Sequence, residues 1–267
     1  MKRTTRIYNI EHSDIFTNMT SESYWLLGML ASDGSIHRNV ISISQSGDIG
    51  KLRIEKIKSI FGCDNPIYTY KPIKGQLVYT LNLSSAKLIS ELVEFNIIQN
   101  KTFTYTLPAI IPLSSLASFL DGYIEGDGTV GIYTNNTGIH TLTILVVGTE
   151  SFLTSINNVV PVKGRLRKIP NENIYEIRWN GKKAIAFGKW LYSQPVFHDS
   201  PKLHKFNTYI NNYIKPFHKY DSLKIEAQKL IDDGYDIMHI ASILNMHFQL
   251  LYKWKSNGSL VFDSPTV

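Results

Sequence analysis

The chain has 267 residues, with 28 Lys and Arg against 22 Asp and Glu and a formal net charge of +6. That length, with 43% apolar residues, allows one large domain or two modest ones around a real core, and the basic excess favours a polyanionic partner, nucleic acid first. The single cysteine, Cys63, excludes an intramolecular disulfide and argues against a cysteine-based zinc site, while the eight histidines show no zinc-ligand spacing.

No apolar run approaches membrane-spanning length, and the opening residues lack a signal-peptide core. The expected location is a reducing interior (cytoplasm, organelle or phage-infected host), with no secretion and no membrane partner. Residues 219–267 hold five lysines against six carboxylates, so the positive excess lies in residues 1–218.

In chain order, Thr20 or Ser21 can cap a helix over SESYWLLGMLAS that ends in Asp33-Gly34. A hairpin follows, SIH and VISISQS about a turn at Arg38-Asn39. A helix over roughly 48–61, the strands IYTY and LVYTLNLS, and the helix SSAKLISELVEF complete a unit. Then the order starts again. Ser114 or Ser115 caps LASFLDGYIEGD, ending in Asp127-Gly128. The strands TVGIYT and IHTLTILVVG, a helix near 149–157, the strands VVPVKGRLRKI and IYEIRWN, and the helix GKKAIAFGKWLYS follow.

The two starting helices share L-x-G-x-x-x-x-D-G, as LLGMLASDG at 26–34 and LDGYIEGDG at 120–128. The repeated order predicts a pseudo-two-fold α+β molecule. One Asp-Gly at a helix end is ordinarily just a helix stop. Two in the same context, with small residues four apart at Gly28 and Ser32 and at Gly122 and Gly126, predict two helices in close contact. Asp33 and Asp127 would then meet at the end of the seam, near unsatisfied helix carbonyls. Two such carboxylates repel until a divalent cation joins them, and hard oxygen ligands with open water positions suit Mg²⁺, with Mn²⁺ as a substitute.

Both segments resemble the LAGLIDADG motif of homing endonucleases. The resemblance covers roughly residues 20–213 and the order of elements. It implies two αββαββα halves forming a DNA-binding saddle, and metal-dependent hydrolysis of both strands of a long, pseudo-palindromic or asymmetric site. One chain would act as a monomer. The resemblance makes Asp33 and Asp127 the metal-binding acids, with Gly34 and Gly128 beside them. The sixth motif position, usually acidic, is Glu125 in the second copy but Ala31 in the first. The family's basic residue beside each scissile phosphate points to Lys101 and Lys205, and Gln45 is a candidate for ordering water.

Strand alternation places Lys163, Arg165 and Arg167 on one face, with Arg178 from the partner strand, suited to phosphates or base edges. The matching positions of the first half are Ser42, Ser44, Thr80 and Asn82. The tyrosines and tryptophans read as core rather than as stacking platforms. The expected divisions are 1–110, 111–215 and 216–267. The last contains three short helices that resemble a resolvase or transposase helix-turn-helix, with His247, Gln249, Tyr252 and Lys253 facing outward.

Two other readings share this pattern: a non-catalytic DNA-binding regulator of the same descent, and an intron RNA maturase. Retention of both aspartates favours the nuclease over the regulator. Mobility of an intron or free-standing element through such a cut is what homing implies. The absence of a terminal His-Asn pair argues against a self-splicing intein.

Overall fold

The computed structural model describes residues 8–134, 138–170, 172–213, 215–256 and 258–261. It divides into two compact units, residues 1–207 and 208–267.

The first unit contains the repeat. Helix α1 (Ser21–Ser32) leads into strands β1 (Gly34–His37) and β2 (Val40–Ser46), then α2 (Gly47–Phe61), β3 (Ile67–Tyr70), β4 (Val78–Leu83) and α3 (Ala86–Glu94). The second half repeats this with α4 (Leu116–Asp127), β5 (Gly128–Thr134), β6 (His140–Gly148), α5 (Glu150–Val159), β7 (Arg165–Lys168), β8 (Tyr175–Asn180) and α6 (Lys182–Leu191). Each half forms a four-stranded antiparallel sheet, ordered β1-β2-β4-β3 and β5-β6-β8-β7. This is the α+β architecture expected from the repeat. Helix α7 (Pro201–Tyr213) runs across the unit boundary, so the division falls earlier than the expected one at 215.

Helix α1 starts with a capping box: Thr20 Oγ1 accepts from Ser23 N, and the Ser23 hydroxyl returns to Thr20 N. Every residue from Ser23 to Ala31 is buried, as are Leu116 and Ser118–Glu125 on α4. A helix buried on all sides needs apolar residues all round rather than one stripe. Trp, Leu, Ile, Phe and Met supply most of that surface, while α4 also buries Ser118, Asp121 and Glu125. Ser115 occupies the N-cap position of α4 without a side-chain capping bond, after a short 3-10 turn at Leu113–Ser115.

The helix ends differ from an ordinary glycine stop. Neither Gly34 nor Gly128 has a positive φ, and both open a strand directly. They are small for lack of room. A Cβ would lie 2.6 Å from the Leu30 carbonyl oxygen at Gly34, and 2.7 Å from that of Ile124 at Gly128.

Strand β7 is shorter than VVPVKGRLRKI predicts. Pro161 cannot donate to a ladder, and Gly164 N donates to Asn157 Oδ1 at 2.8 Å, so pairing begins only at Arg165. No helix among the described residues is long and apolar enough to cross a membrane.

The second unit contains α8 (Lys215–Asp232), α9 (Ile237–Ile243) and α10 (Phe248–Ser256). Asp236 caps α9 by accepting from Met238 N and His239 N. Ala227, Ile237, Ile240, Ala241, Leu251, Trp254 and Leu260 form its buried core, with Leu230 and Leu244 packed against it. Residues 244–247 join α9 to α10, with Asn245 in the left-handed region at φ 48°.

Candidate active site

Helices α1 and α4 cross at their glycines. A Cβ on Gly28 would overlap the Phe119 carbonyl oxygen and lie 2.6 Å from Tyr123 N; one on Gly122 would overlap the Trp25 carbonyl oxygen. Farther along the seam, a Cβ on Gly126 would overlap Ser32 and lie 2.6 Å from Asp33 Oδ2. The four small residues singled out in the sequence therefore line one contact. It brings the carboxyl ends of both helices, with Asp33 and Asp127, close enough to interact electrostatically.

Asp33 caps α1, its N–H donating to Met29 O at 3.0 Å. Its Oδ2 accepts from Gln45 Nε2 at 2.6 Å, so the structure joins the two first-half candidates directly. Asp127 is the last residue of α4 and lies near the Tyr123 hydroxyl, which donates to Val147 O at 3.2 Å. Burial raises the Asp127 pKa, and the Asp33 charge raises it further; Lys101, Lys202 and the Tyr123 hydroxyl act against both.

Lys101 is buried in a 3-10 turn at Lys101–Phe103. Its Nζ donates to Gly34 O at 2.6 Å, at the start of β1, and to Ser32 O at 3.3 Å, at the end of α1. The Gly34 carbonyl is thus engaged by an ammonium; Gly128 stands at the matching start of β5. Burial lowers the Lys101 pKa, against the opposing pull of Asp127 and Asp33.

In the second half, Lys202 also binds the end of the motif helix, but at carbonyls that match Leu30 and Ala31 rather than Ser32 and Gly34. Its Nζ donates to Ile124 O at 2.5 Å and Glu125 O at 2.8 Å. Burial lowers its pKa to about 8, with Glu125 the main opposing charge. Lys205, the residue pointed to by the resemblance, is exposed on α7. A stronger signal was present in the sequence: Ser200-Pro201 opens a helix, which puts Lys202 in its first turn. Ser200 Oγ accepts from both Lys202 N and Leu203 N at 3.1 Å.

The two ends are not equivalent. Aligning the halves on the pairs Gly34–Ile43 and Gly128–Val146 puts Gly148 where Gln45 stands. Tyr123, whose hydroxyl donates to Val147 O, takes the place of Met29. Beside Asp127 lies a cavity of about 220 Å³, lined in part by Lys101, Tyr105, Tyr123 and Gly148.

Sequence reasoning missed two further residues. Glu125, 2% exposed, receives Arg53 Nη2 at 2.7 Å and Arg53 Nε at 3.0 Å, and its second oxygen accepts from Ser200 Oγ. Arg53 Nη1 also donates to Gln45 Oε1 at 3.2 Å.

The outer sheet faces are polar. Ser42 lies opposite Asn82 and Ser44 opposite Thr80, with Ser44 and Thr80 hydroxyls 2.7 Å apart. Arg165 lies opposite Arg178 and Arg167 opposite Glu176. Glu176 receives Arg167 Nε at 2.5 Å and Arg178 Nη2 at 3.0 Å, which leaves Arg165 the less neutralised arginine of the three. Lys163 is outside the strand, its Nζ donating to Asn158 O at 2.6 Å. Tyr68, Tyr70 and Tyr133 are exposed on the strands rather than in the core. His247, Gln249, Tyr252 and Lys253 are exposed in the second unit.

Among the described residues, no group of three or more His, Cys, Asp and Glu side chains could hold a metal ion. The donor set is two carboxylates beside helix-end carbonyls. Mg²⁺ needs no protein cage, since it keeps several waters and takes one or two carboxylates. The mutual charge of Asp33 and Asp127 is what such a cation would relieve, so the residues fit it.

No family model matches the sequence, and no curated protein matches it. Solved structures do. The chain is similar to the I-LtrWI LAGLIDADG homing endonuclease bound to target DNA, with 14% identity, a TM-score of 0.55, and coverage of 74% of this chain and 91% of that one. The fold is that of the LAGLIDADG homing endonucleases. The meganuclease I-SmaMI bound to uncleavable DNA is similar at 10% identity and a TM-score of 0.53, over 74% of this chain and 91% of that one. I-GzeII, a LAGLIDADG homing endonuclease in complex with its DNA target, is similar at 12% identity and 0.51, over 76% and 92%.

Proposed function

We propose that this chain is a site-specific endonuclease that hydrolyses both strands of duplex DNA, one half acting on each strand, and that it serves the homing of a mobile element as a monomer. The observation that carries this reading is the meeting of Asp33 and Asp127 at the carboxyl ends of two crossing helices, with the buried Lys101 at one end and the half-buried Lys202 at the other. The solved structures it resembles include homing endonucleases bound to DNA.

Asp33 and Asp127 would hold the divalent cation, Mg²⁺ or Mn²⁺, which supplies Lewis-acid polarisation of the phosphodiester and eases ionisation of the attacking water. Gln45, fixed on Asp33, orients water beside the first acid. Lys101 and Lys202 offer positive charge to the phosphate as charge builds on its oxygens. Burial lowers the pKa of both lysines, and the negative charge of an approaching phosphate acts in the opposite direction.

Ser42, Ser44, Thr80, Asn82, Arg165 and Arg178 supply the DNA-reading surface, with Tyr68, Tyr70 and Tyr133 exposed beside it. In the second unit, His247 just before α10 and Gln249, Tyr252 and Lys253 on it are offered to the same duplex in the manner of a recognition helix. The near-neutral balance of residues 219–267 makes this an accessory contact, with the basic first unit holding the backbone.

The test is cleavage of a plasmid library of randomised sites with Mg²⁺ and with EDTA. Double-strand cuts that need the metal are expected. Tight, specific binding without cutting in any divalent metal would overturn the nuclease reading in favour of a regulator.

A further inference from the structure

We infer that Arg53 and Glu125 are a positioning pair, through which the second half holds Gln45, and so Asp33, in place in the first half's cutting site. This rests on the endonuclease reading for its catalytic consequence, but its structural part stands separately.

Glu125 comes from the second motif and Arg53 from α2 of the first half, so the pair crosses the seam. Their side chains are 0% and 12% exposed. A buried carboxylate is costly unless paired and hydrogen-bonded, and Glu125 has both oxygens engaged, one by Arg53 and the other by Ser200. The arginine fork is rigid and planar. With Nε and Nη2 held by Glu125 the plane of the guanidinium is fixed, and Nη1 donates from it to Gln45 Oε1 at 3.2 Å.

An amide group has one acceptor end and one donor end. Fixing Oε1 on Arg53 therefore turns Nε2 toward Asp33 Oδ2 and excludes the flipped amide, which would set oxygen against carboxylate. Four side chains thus form a chain of hydrogen bonds from the second motif to the acid of the first.

Apart from Asp127 itself, the reverse chain has none of its members. Ala31 replaces Glu125 in the first motif, and Gly148 replaces Gln45. Continuing the same register into the next helix, Ile156 replaces Arg53. The pair should therefore control one strand's cleavage and leave the other's nearly alone.

Arg53→Lys is the informative variant, because lysine keeps a charge on Glu125 but cannot also reach Gln45 in a fixed fork. Three proteins would be compared with the wild type: Arg53→Lys, Gln45→Ala and the double variant. Each is assayed on a substrate with both strands labelled, and each wild-type and Arg53→Lys sample is labelled with ¹⁵N-glutamine for NMR. Arg53→Lys is expected to slow one strand by roughly ten-fold or more, the same strand slowed by Gln45→Ala, so that nicked DNA accumulates. It should add little in the Gln45→Ala background, since both changes remove one unit. The Gln45 side-chain amide signal should shift toward that of a free glutamine.

Equal slowing of both strands, or full additivity with Gln45→Ala, would overturn the inference. So would an unmoved Gln45 amide signal. A wild type that cuts neither strand would refute the endonuclease reading, and the amide signal would still decide the positioning link.

Discussion

Gly28 on α1 and Gly122 on α4 each occupy the space that a side chain would need against the other helix's backbone: Phe119 O for one and Trp25 O for the other. This reciprocal contact fixes how close the helices come, and so how close Asp33 and Asp127 can be.

Gly28→Ala or Gly122→Ala should therefore destabilise the first unit by about 3 kcal/mol or more, because the obstructing atoms are backbone and cannot rotate away. Urea unfolding of each variant against the wild type checks this. A loss under about 0.5 kcal/mol would mean that the helices can separate freely.

The two lysines near the end of the chain's second half should separate cleanly. Lys202→Met is expected to lower cleavage by about 100-fold, the scale for losing one preorganised charge beside a reacting phosphate. Lys205→Met, exposed on the next turn of α7, should change the rate by less than about two-fold. Single-turnover cleavage rates at saturating protein decide between them. Since Lys202 loses its proton near 8, its contribution should weaken above that pH wherever DNA is not yet bound.

Asp121 supplies a test by pH. Burial, with the Glu125 charge next, raises its pKa from 3.8 to about 8. Between those values the folded protein keeps a proton that the unfolded chain has released. Stability from this group is fully present below about pH 4 and is lost progressively as pH rises toward 8. Asp121→Asn should remove that slope and stabilise the protein at pH 8 by on the order of 2–4 kcal/mol. Denaturant midpoints from pH 4 to 9 would show the two curves converging at the acidic end.

Much of this was legible in the sequence, for a physical reason. Paired L-x-G-x-x-x-x-D-G helices record a backbone contact that only glycine permits, and strand alternation records which face is buried. The helix expected over 48–61 is found at Gly47–Phe61, and the expected IYTY strand is Ile67–Tyr70. Contacts between distant segments left no such record. Glu125 reads as a motif acid and Arg53 as a surface charge until folding places them together across 72 residues. Lys202 and Lys205 differ only in which turn of α7 they occupy, and the Ser200-Pro201 helix start decides that. Glu176 likewise neutralises two arginines that strand alternation alone offers to DNA.

Arg165 should then be the arginine of β7 that DNA binding feels most. Arg165→Ala is expected to weaken binding and to reduce the salt slope of log Kd by about one, as for one phosphate contact. Arg167→Ala should leave the slope nearly unchanged, because Glu176 already holds that guanidinium. Binding measured from 50 to 200 mM salt distinguishes the two.

The most direct test of the account is cleavage of the chain's selected target in Mg²⁺ by Asp33→Asn and Asp127→Asn, with folding checked by circular dichroism. Both variants should fold and bind DNA as the wild type does, and both should lose double-strand cutting. Undiminished cutting by either one would contradict a site built on the paired aspartates.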